Sequence, residues 1–412
     1  MKPFRSEGRR GVRRGSRANI PLLALALAAS ACRVTPDYNR PLPEGWPALI
    51  QVEPADIPPL GGDWPAVKHE LLPALELSIA WTTKDYADQF FPIEGVTRER
   101  ALASLVRFRE ILLEAQDATE LELAIEREFD VYKSAGWNGR GGGVLFTAYC
   151  TPILDGQLDP GPGFDHPLYG LPGDLVKGPQ GEILGQRVAE GLAPYPSRGA
   201  IESSGMLAGQ GLELVWLRSA LDAFIAHVNG SAFIDLPDGT RLALGYAASN
   251  GAEYTSLGRE LVKAGELTAS EVSLPRIRKW AEENPEELEV FLHKNDRFVF
   301  FTELDGSPRG SLNVEVTGGR SLATDKTLFP RGALVLTDAS IPDERGRETP
   351  YRRLMLDQDT GGAIRTAGRA DIYLGIGPDA EQRAGRLRSE GQLYYLFLKP
   401  EHVRLRRIGH SL

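Results

Sequence analysis

Leu354–Gly377, LMLDQDTGGAIRTAGRADIYLGIG, sets two short apolar and aromatic runs on either side of a glycine-bearing turn. Alternate residues of a strand share a face, so Asp357 is expected to point with Asp359, and Asp371 with Tyr373, while Ile372, Leu374 and Ile376 turn to the core. One face is therefore acidic and aromatic. Gly361 and Gly362 leave room for close approach of another chain or a ligand. A third aspartate, Asp325, lies in GRSLATDKTLFPRG (Gly319–Gly332), again between strand and turn. Aspartates bounding turns commonly do no more than cap them, but three in such settings within the C-terminal third make acid–base candidates.

Working outward, strand-like runs recur as RFVFFTEL, GSLNVEV, GALVLTD and QLYYLFLKP, and upstream as VLFTAYC, ELVWL, DAFIAHVNGSAFIDL and RLALGYA. Turn signals such as Pro237–Gly239 separate them. Helical periodicity starts after Gly95, with Leu102, Leu105, Phe108, Ile111 and Leu112 at three- and four-residue steps, and repeats from Thr119 to Tyr132. It returns between Thr255 and Asn295, where Pro275 and Pro285 stand at helix starts. Helix, strands, helices, strands, with no regular alternation, predicts a mainly β protein with helical segments and a middle segment inserted into it, not a doubly wound sheet.

The N-terminus reads as an export signal. Seven cations between Lys2 and Arg17 precede the apolar run Ile20–Ala31, which at 12 residues is too short for a permanent span. Ala29, Ser30 and Ala31 ahead of Cys32 resemble a bacterial lipobox, so Cys32 is the expected lipidation site. Cleavage there leaves 381 residues with 40 basic and 55 acidic side chains, a net charge of −15 against −9 for the full 412. Anionic headgroups repel such a chain, so attachment must come from lipid. Eight prolines in Arg33–Pro65 predict an extended spacer.

The acidic balance excludes a general nucleic-acid binder. Two cysteines and six scattered histidines provide no disulfide framework and no zinc ligand spacing, and no metal or cofactor is expected. Gly375-Ile-Gly377 leaves too little chain after it for a dinucleotide half-domain, and no GxSxG elbow or phosphate-cradling GxxxxGK[ST] occurs. Asp359-Thr360-Gly361 copies the aspartic-protease tripeptide once, whereas that chemistry needs two carboxylates.

FTAYCTP (Phe146–Pro152), GSA (Gly230–Ala232), YAASNGAEYTSLGREL (Tyr246–Leu261), NDRFVFF (Asn295–Phe301), Gly319–Gly332 and DTGGAIRTAGRADIYLGIGPDAEQRAG (Asp359–Gly385) stand in the order found in the membrane-bound lytic murein transglycosylase A family. The chain resembles that family over most of its length after the spacer. The resemblance implies a double-psi β-barrel domain from residues 67–150 and 295–405, with a three-aspartate module at about 311–400. A smaller β-barrel would be inserted at 151–294, with a groove between the two, behind a signal peptide (1–31) and spacer (32–66). It implies non-hydrolytic cleavage of the β-1,4 bond between N-acetylmuramic acid and N-acetylglucosamine in peptidoglycan glycan strands, leaving 1,6-anhydro ends. The expected setting is the periplasmic face of the outer membrane, with cell-wall synthesis complexes as partners.

By that resemblance Asp371 is the catalytic carboxyl, Asp325 and Asp359 support it, and Tyr149, Asn250, Gly251, Tyr254 and Tyr373 bind substrate. One carboxyl suffices if it protonates the glycosidic oxygen and then takes a proton from the C6 hydroxyl. Two alternatives stand beside this. An inverting hydrolase would need Asp359 as base with room for a water, and a glycan-binding lipoprotein would have lost turnover. Cys150, Ala232 and His227 depart from the family pattern; Cys150 is expected to be a buried free thiol.

Overall fold

The computed structural model describes residues 35–61, 63–179, 181–343 and 347–409; the expected signal peptide and Cys32 lie outside these. In chain order the strands are β1 (Leu49–Gln51), β2 (Phe129–Ser134), β3 (Val144–Thr151), β4 (Ile153–Gln157), β5 (His166–Tyr169), β6 (Leu175–Lys177), β7 (Ile183–Val188), β8 (Gly191–Ala193) and β9 (Glu213–Leu217). There follow β10 (Ser231–Asp235), β11 (Arg241–Ser249), β12 (Val299–Glu303), β13 (Ser321–Ala323), β14 (Leu334–Pro342), β15 (Glu348–Asp359), β16 (Arg369–Ile376) and β17 (Ser389–Leu398).

Strands β17, β14, β15, β13, β16 and β3 are hydrogen-bonded in that order, and β3 pairs back onto β17, closing a six-stranded barrel. Closure leaves these strands no free edge. The pairs β13–β15 and β16–β3 are parallel and the rest antiparallel. Val335, Met355, Ile372, Tyr395 and Phe397 fill one side of the sheet. The other side, with Leu336, Leu354, Leu356 and Leu396, is covered by helices Ala66–Thr83, Arg98–Glu114 and Ala118–Glu128.

A second sheet runs β12-β11-β10-β4-β9-β5, and a bridge between Gly170 and Phe301 joins its two ends. Its core holds Leu154, Leu168, Val215, Ile234, Leu244 and Phe301, with Ala226 of helix Ala220–Asn229 packed among them. Strands β6 to β8 form a separate three-stranded sheet. Helices Leu257–Ala264, Leu274–Glu283 and Pro285–Leu292 share their own apolar cluster around Trp280 and Phe291. A single residue, Pro152, separates β3 of the first barrel from β4 of the second.

Several expectations are corrected. The proline-rich stretch does not stand off as a spacer from Pro36 onward: β1 pairs with β2, Ala48 is fully buried, and the Tyr38 carbonyl accepts the Thr366 hydroxyl at 2.6 Å. Extended, proline-rich backbone is well suited to lie along a sheet edge. Helix Ala66–Thr83 precedes the first expected helix and carries Pro73, ordinarily a helix-breaking residue, in its interior. The run from Thr119 turns to strand at Phe129 rather than staying helical to Tyr132. DAFIAHVN is helical, because Ser219 caps its start through Asp222 N and Gly230 (φ +70°) ends it. GSLNVEV forms no strand beyond a bridge between Arg309 and Glu315. The second sheet runs past Lys294 to Glu303, since β12 is paired with β11. Ile376 is 45% exposed rather than in the core, because β16 shifts register after Tyr373.

Candidate active site

The parallel register of β16 on β3 sets Asp371 beside Thr147 and Tyr373 beside Tyr149. Asp371 is partly buried, and its Oδ1 accepts the Thr147 hydroxyl at 2.8 Å. Burial pushes this carboxyl up to about 6; the Thr147 hydrogen bond and the Arg369 guanidinium pull the other way, and Asp359 adds a smaller upward push. Asp359, at the end of β15, also titrates above the ordinary carboxylate range through burial. Its oxygens are well occupied. Oδ2 accepts the Tyr149 hydroxyl at 2.7 Å, and Oδ1 accepts the backbone N–H of Ser311 (2.7 Å) and of Thr360 (2.8 Å). Gly310 permits that approach, since a Cβ there would sit 2.8 Å from the Gln358 carbonyl oxygen.

Tyr149 links the two carboxylates. Its hydroxyl is held by Asp359, it feels the charge of Asp371, and its ring lies 5.1 Å from that of Tyr373. Tyr373 is only 2% exposed, and its hydroxyl contacts that of Thr151 at 3.0 Å. The Thr151 hydroxyl also meets Ser231 of the second barrel at 3.2 Å. Tyr254, partly buried after β11, lies close enough for Asp371 and Arg369 to act on its phenol, whose affinity for its proton burial raises. The site thus draws on both barrels.

Asp325 is elsewhere in character. Its Oδ1 accepts the Thr327 N–H and hydroxyl at 3.0 and 2.7 Å and its Oδ2 the Thr366 N–H at 2.9 Å, so it ties one turn to another. Asn250 is buried with both ends of its amide in use: Nδ2 donates to the Pro196 and Asp296 carbonyls, and Oδ1 accepts from Phe298 and Ala252 N–H. Gly251 beside it is exposed at φ +81°. Cys150 is a buried free thiol pushed up to about 12 by burial. His227 is buried, held well below the usual imidazole range by burial, and its Nδ1 accepts the Val299 N–H at 2.9 Å. Among the described residues no cluster of His, Cys, Asp and Glu could hold a metal ion. Thr147, Ser311 and Arg369 were not singled out from sequence. Strand register brings in Thr147 and Arg369, the latter at the two-residue spacing that places Asp371 with Tyr373, and Ser311 arrives on the loop before β13.

Fold and site together define a two-barrel protein with a protonatable carboxyl where the barrels meet. Residues 145–302 match the family described as MltA specific insert domain, and residues 320–397 match the 3D domain. The membrane-bound lytic murein transglycosylase A of Escherichia coli K12 is 32% identical over 268 residues, 63% of this chain and 67% of that protein. Its counterpart in Vibrio cholerae is 31% identical, over 64% and 68%. Among solved structures, a membrane-bound lytic murein transglycosylase from Agrobacterium tumefaciens superposes with TM-score 0.71 at 28% identity, covering 87% of this chain and 99% of that one. E. coli MltA with bound chitohexaose shares the fold, with TM-score 0.67 at 24% identity over 89% and 96%. This chain belongs to the membrane-bound lytic murein transglycosylase A family. Its first barrel is that family's double-psi β-barrel and its second the inserted domain. Among the described residues no helix is long and apolar enough to cross a membrane.

Proposed function

We propose that this chain cleaves the β-1,4 bond between N-acetylmuramic acid and N-acetylglucosamine in peptidoglycan without water, using Asp371 first as acid and then as base. The observation that carries this reading is the partly buried Asp371 carboxyl, raised to about 6 and restrained by one hydroxyl. Such a group is still partly protonated close to neutral pH and can give its proton to the glycosidic oxygen. The carboxylate left behind then takes the C6 hydroxyl proton as that oxygen closes on C1. Asp359 is a poor base for a hydrolytic water, because all three of its hydrogen bonds come from protein donors. Its role is to hold Tyr149 against the sugar. Tyr149, Tyr254 and Gly251 offer the accessible groove surface, with Tyr373 and Asn250 supporting them from below, and Asp325 fixes the turn that follows β13.

A lipid on Cys32 would attach the chain to a membrane, on the periplasmic face of the outer membrane, as the export signal and the absence of Asp after Cys32 suggest. Digesting murein sacculi and weighing the products tests the chemistry. Anhydro ends about 18 Da lighter than hydrolysed ones are expected; reducing ends would make the chain a hydrolase, and no release would leave a glycan binder.

A further inference from the structure

Muramic acid carries an ether-linked lactyl carboxyl, which is either free or extended by an acidic peptide, so the glycan strand presents carboxylates close to its scissile bonds. Beside Asp371 the chain gathers arginines that no carboxylate among the described residues meets within ion-pair distance. Arg369 stands two residues before Asp371 on β16 and so on the same face. Its guanidinium donates to the Thr147 hydroxyl at 3.3 Å and to Asn39 at 3.4 Å, both long, and its buried Nε has no partner. Arg388 reaches the same point from the other side. Ser389 of β17 pairs with Phe146 of β3, and continuing that antiparallel register sets exposed Arg388 opposite Thr147. Arg259, exposed on helix Leu257–Ala264 of the inserted segment, supplies a third charge, and repulsion from Arg388 and Arg259 is felt at Arg369.

These arginines form no ion pair among the described residues, whereas Arg100, Arg107, Arg278 and Arg320 all do. Asp371 acts on Arg369 only electrostatically, from beyond ion-pair distance, and Glu390, two residues beyond Arg388, accepts the Tyr38 hydroxyl. In a chain of net charge −9, unpaired guanidinium groups collected at a glycan-cutting carboxyl are a feature to be explained. A neutral sugar gains little from them. A carboxylate gains charge-assisted hydrogen bonds.

We propose that Arg369, Arg388 and Arg259 form a carboxylate-binding subsite that reads the anionic substituent of the muramic acid ring seated at Asp371. This rests on the glycan-cleaving reading above and deepens it. It makes the substrate's charge, not only its ring, a condition for productive binding.

Binding separates the two ideas, because it can be measured in an Asp371→Asn background where no cleavage occurs. The probes are peptide-free murein strands with lactyl carboxylates, peptide-bearing strands, and neutral chitohexaose, followed by titration calorimetry. Adding Arg369→Gln, or the exposed pair Arg388→Gln with Arg259→Gln, is expected to weaken binding of carboxylate-bearing strands about tenfold or more and to leave chitohexaose within about twofold. Raising salt from about 50 to about 300 mM should act in the same direction. A loss on peptide-free strands assigns the lactyl carboxylate, and a loss confined to peptide-bearing strands assigns the stem; either supports the subsite. Equal loss on all three probes, or none on any, overturns it. The exposed pair guards against misfolding of the partly buried Arg369 variant. If the Asp371→Asn protein binds no glycan at all, the glycan-site reading itself fails, a result distinct from failure of the subsite alone.

Discussion

Two carboxylates of the first barrel, on strands β15 and β16 that flank β13, have opposite fates. In the interior, Asp357 is fully buried and saturated: Oδ2 accepts the hydroxyls of Thr324 (2.7 Å) and Tyr395 (2.8 Å), and Oδ1 pairs with Lys326. Lys326 also donates to the Thr324 hydroxyl at 2.8 Å. At the rim, Asp371 has one hydroxyl and, among the described residues, no cation within ion-pair distance. Burial that Thr147 and Arg369 offset only in part raises its proton affinity, and burial with full compensation makes a structural tie. Chemistry follows the missing partners rather than the carboxyl.

This contrast can be broken in order of expected effect. Asp357→Ala strands the Lys326 charge in the core and should cost about 3–5 kcal/mol in denaturant unfolding, while Lys326→Met with Asp357→Leu should recover most of it. Were Asp357→Ala neutral, the interior would not be the structural half of the comparison. Asp371→Asn should cut sacculus turnover at least about 10²-fold, or about 3 kcal/mol of barrier. It should leave stability at pH 7 unchanged or higher. The sign follows from the folded carboxyl binding its proton more tightly than the unfolded one: the stability from that proton is present below about pH 4 and lost as pH rises through about 6. A drop in melting temperature at pH 7 would count against a strained rim acid.

Asn250→Ala removes four hydrogen bonds from a buried amide and should destabilise by about 1–3 kcal/mol, behaving like the interior although it was expected among the sugar ligands. A pure binding defect with unchanged unfolding would return it to the substrate. Smallest is the pH effect. kcat/KM should fall about tenfold per pH unit above about 6. Thr147→Val, which deletes the hydrogen bond favouring the charged form, should move that limb upward. A downward shift would reverse the assigned role of Thr147.

Much of this was legible because it is local. Period-two alternation placed Asp371 with Tyr373 and made Ile372 and Leu374 core residues, but it failed for Ile376 and for Asp357, which turns inward to Lys326 and Tyr395 while Asp359, past a register shift, reaches Tyr149. Prolines at helix starts marked the middle helices. Where local signals conflict, sequence misled: helix Ala66–Thr83, with Pro73 inside it, was missed, and the apolar run DAFIAHVN looked like strand until its cap and αL glycine are seen.

The sequence by itself determined the faces of Asp371, Ile372, Tyr373 and Leu374, the order of segments and the family, since each depends on neighbours along the chain. Only the tertiary structure decided which aspartate is left short of partners. Thr147, Ser311, Lys326 and Thr366 reach the three candidate carboxylates and Asp357 across strand pairings and turns. A carboxyl's proton affinity is set by such spatial neighbours and by lost water, neither of which is written in residue order.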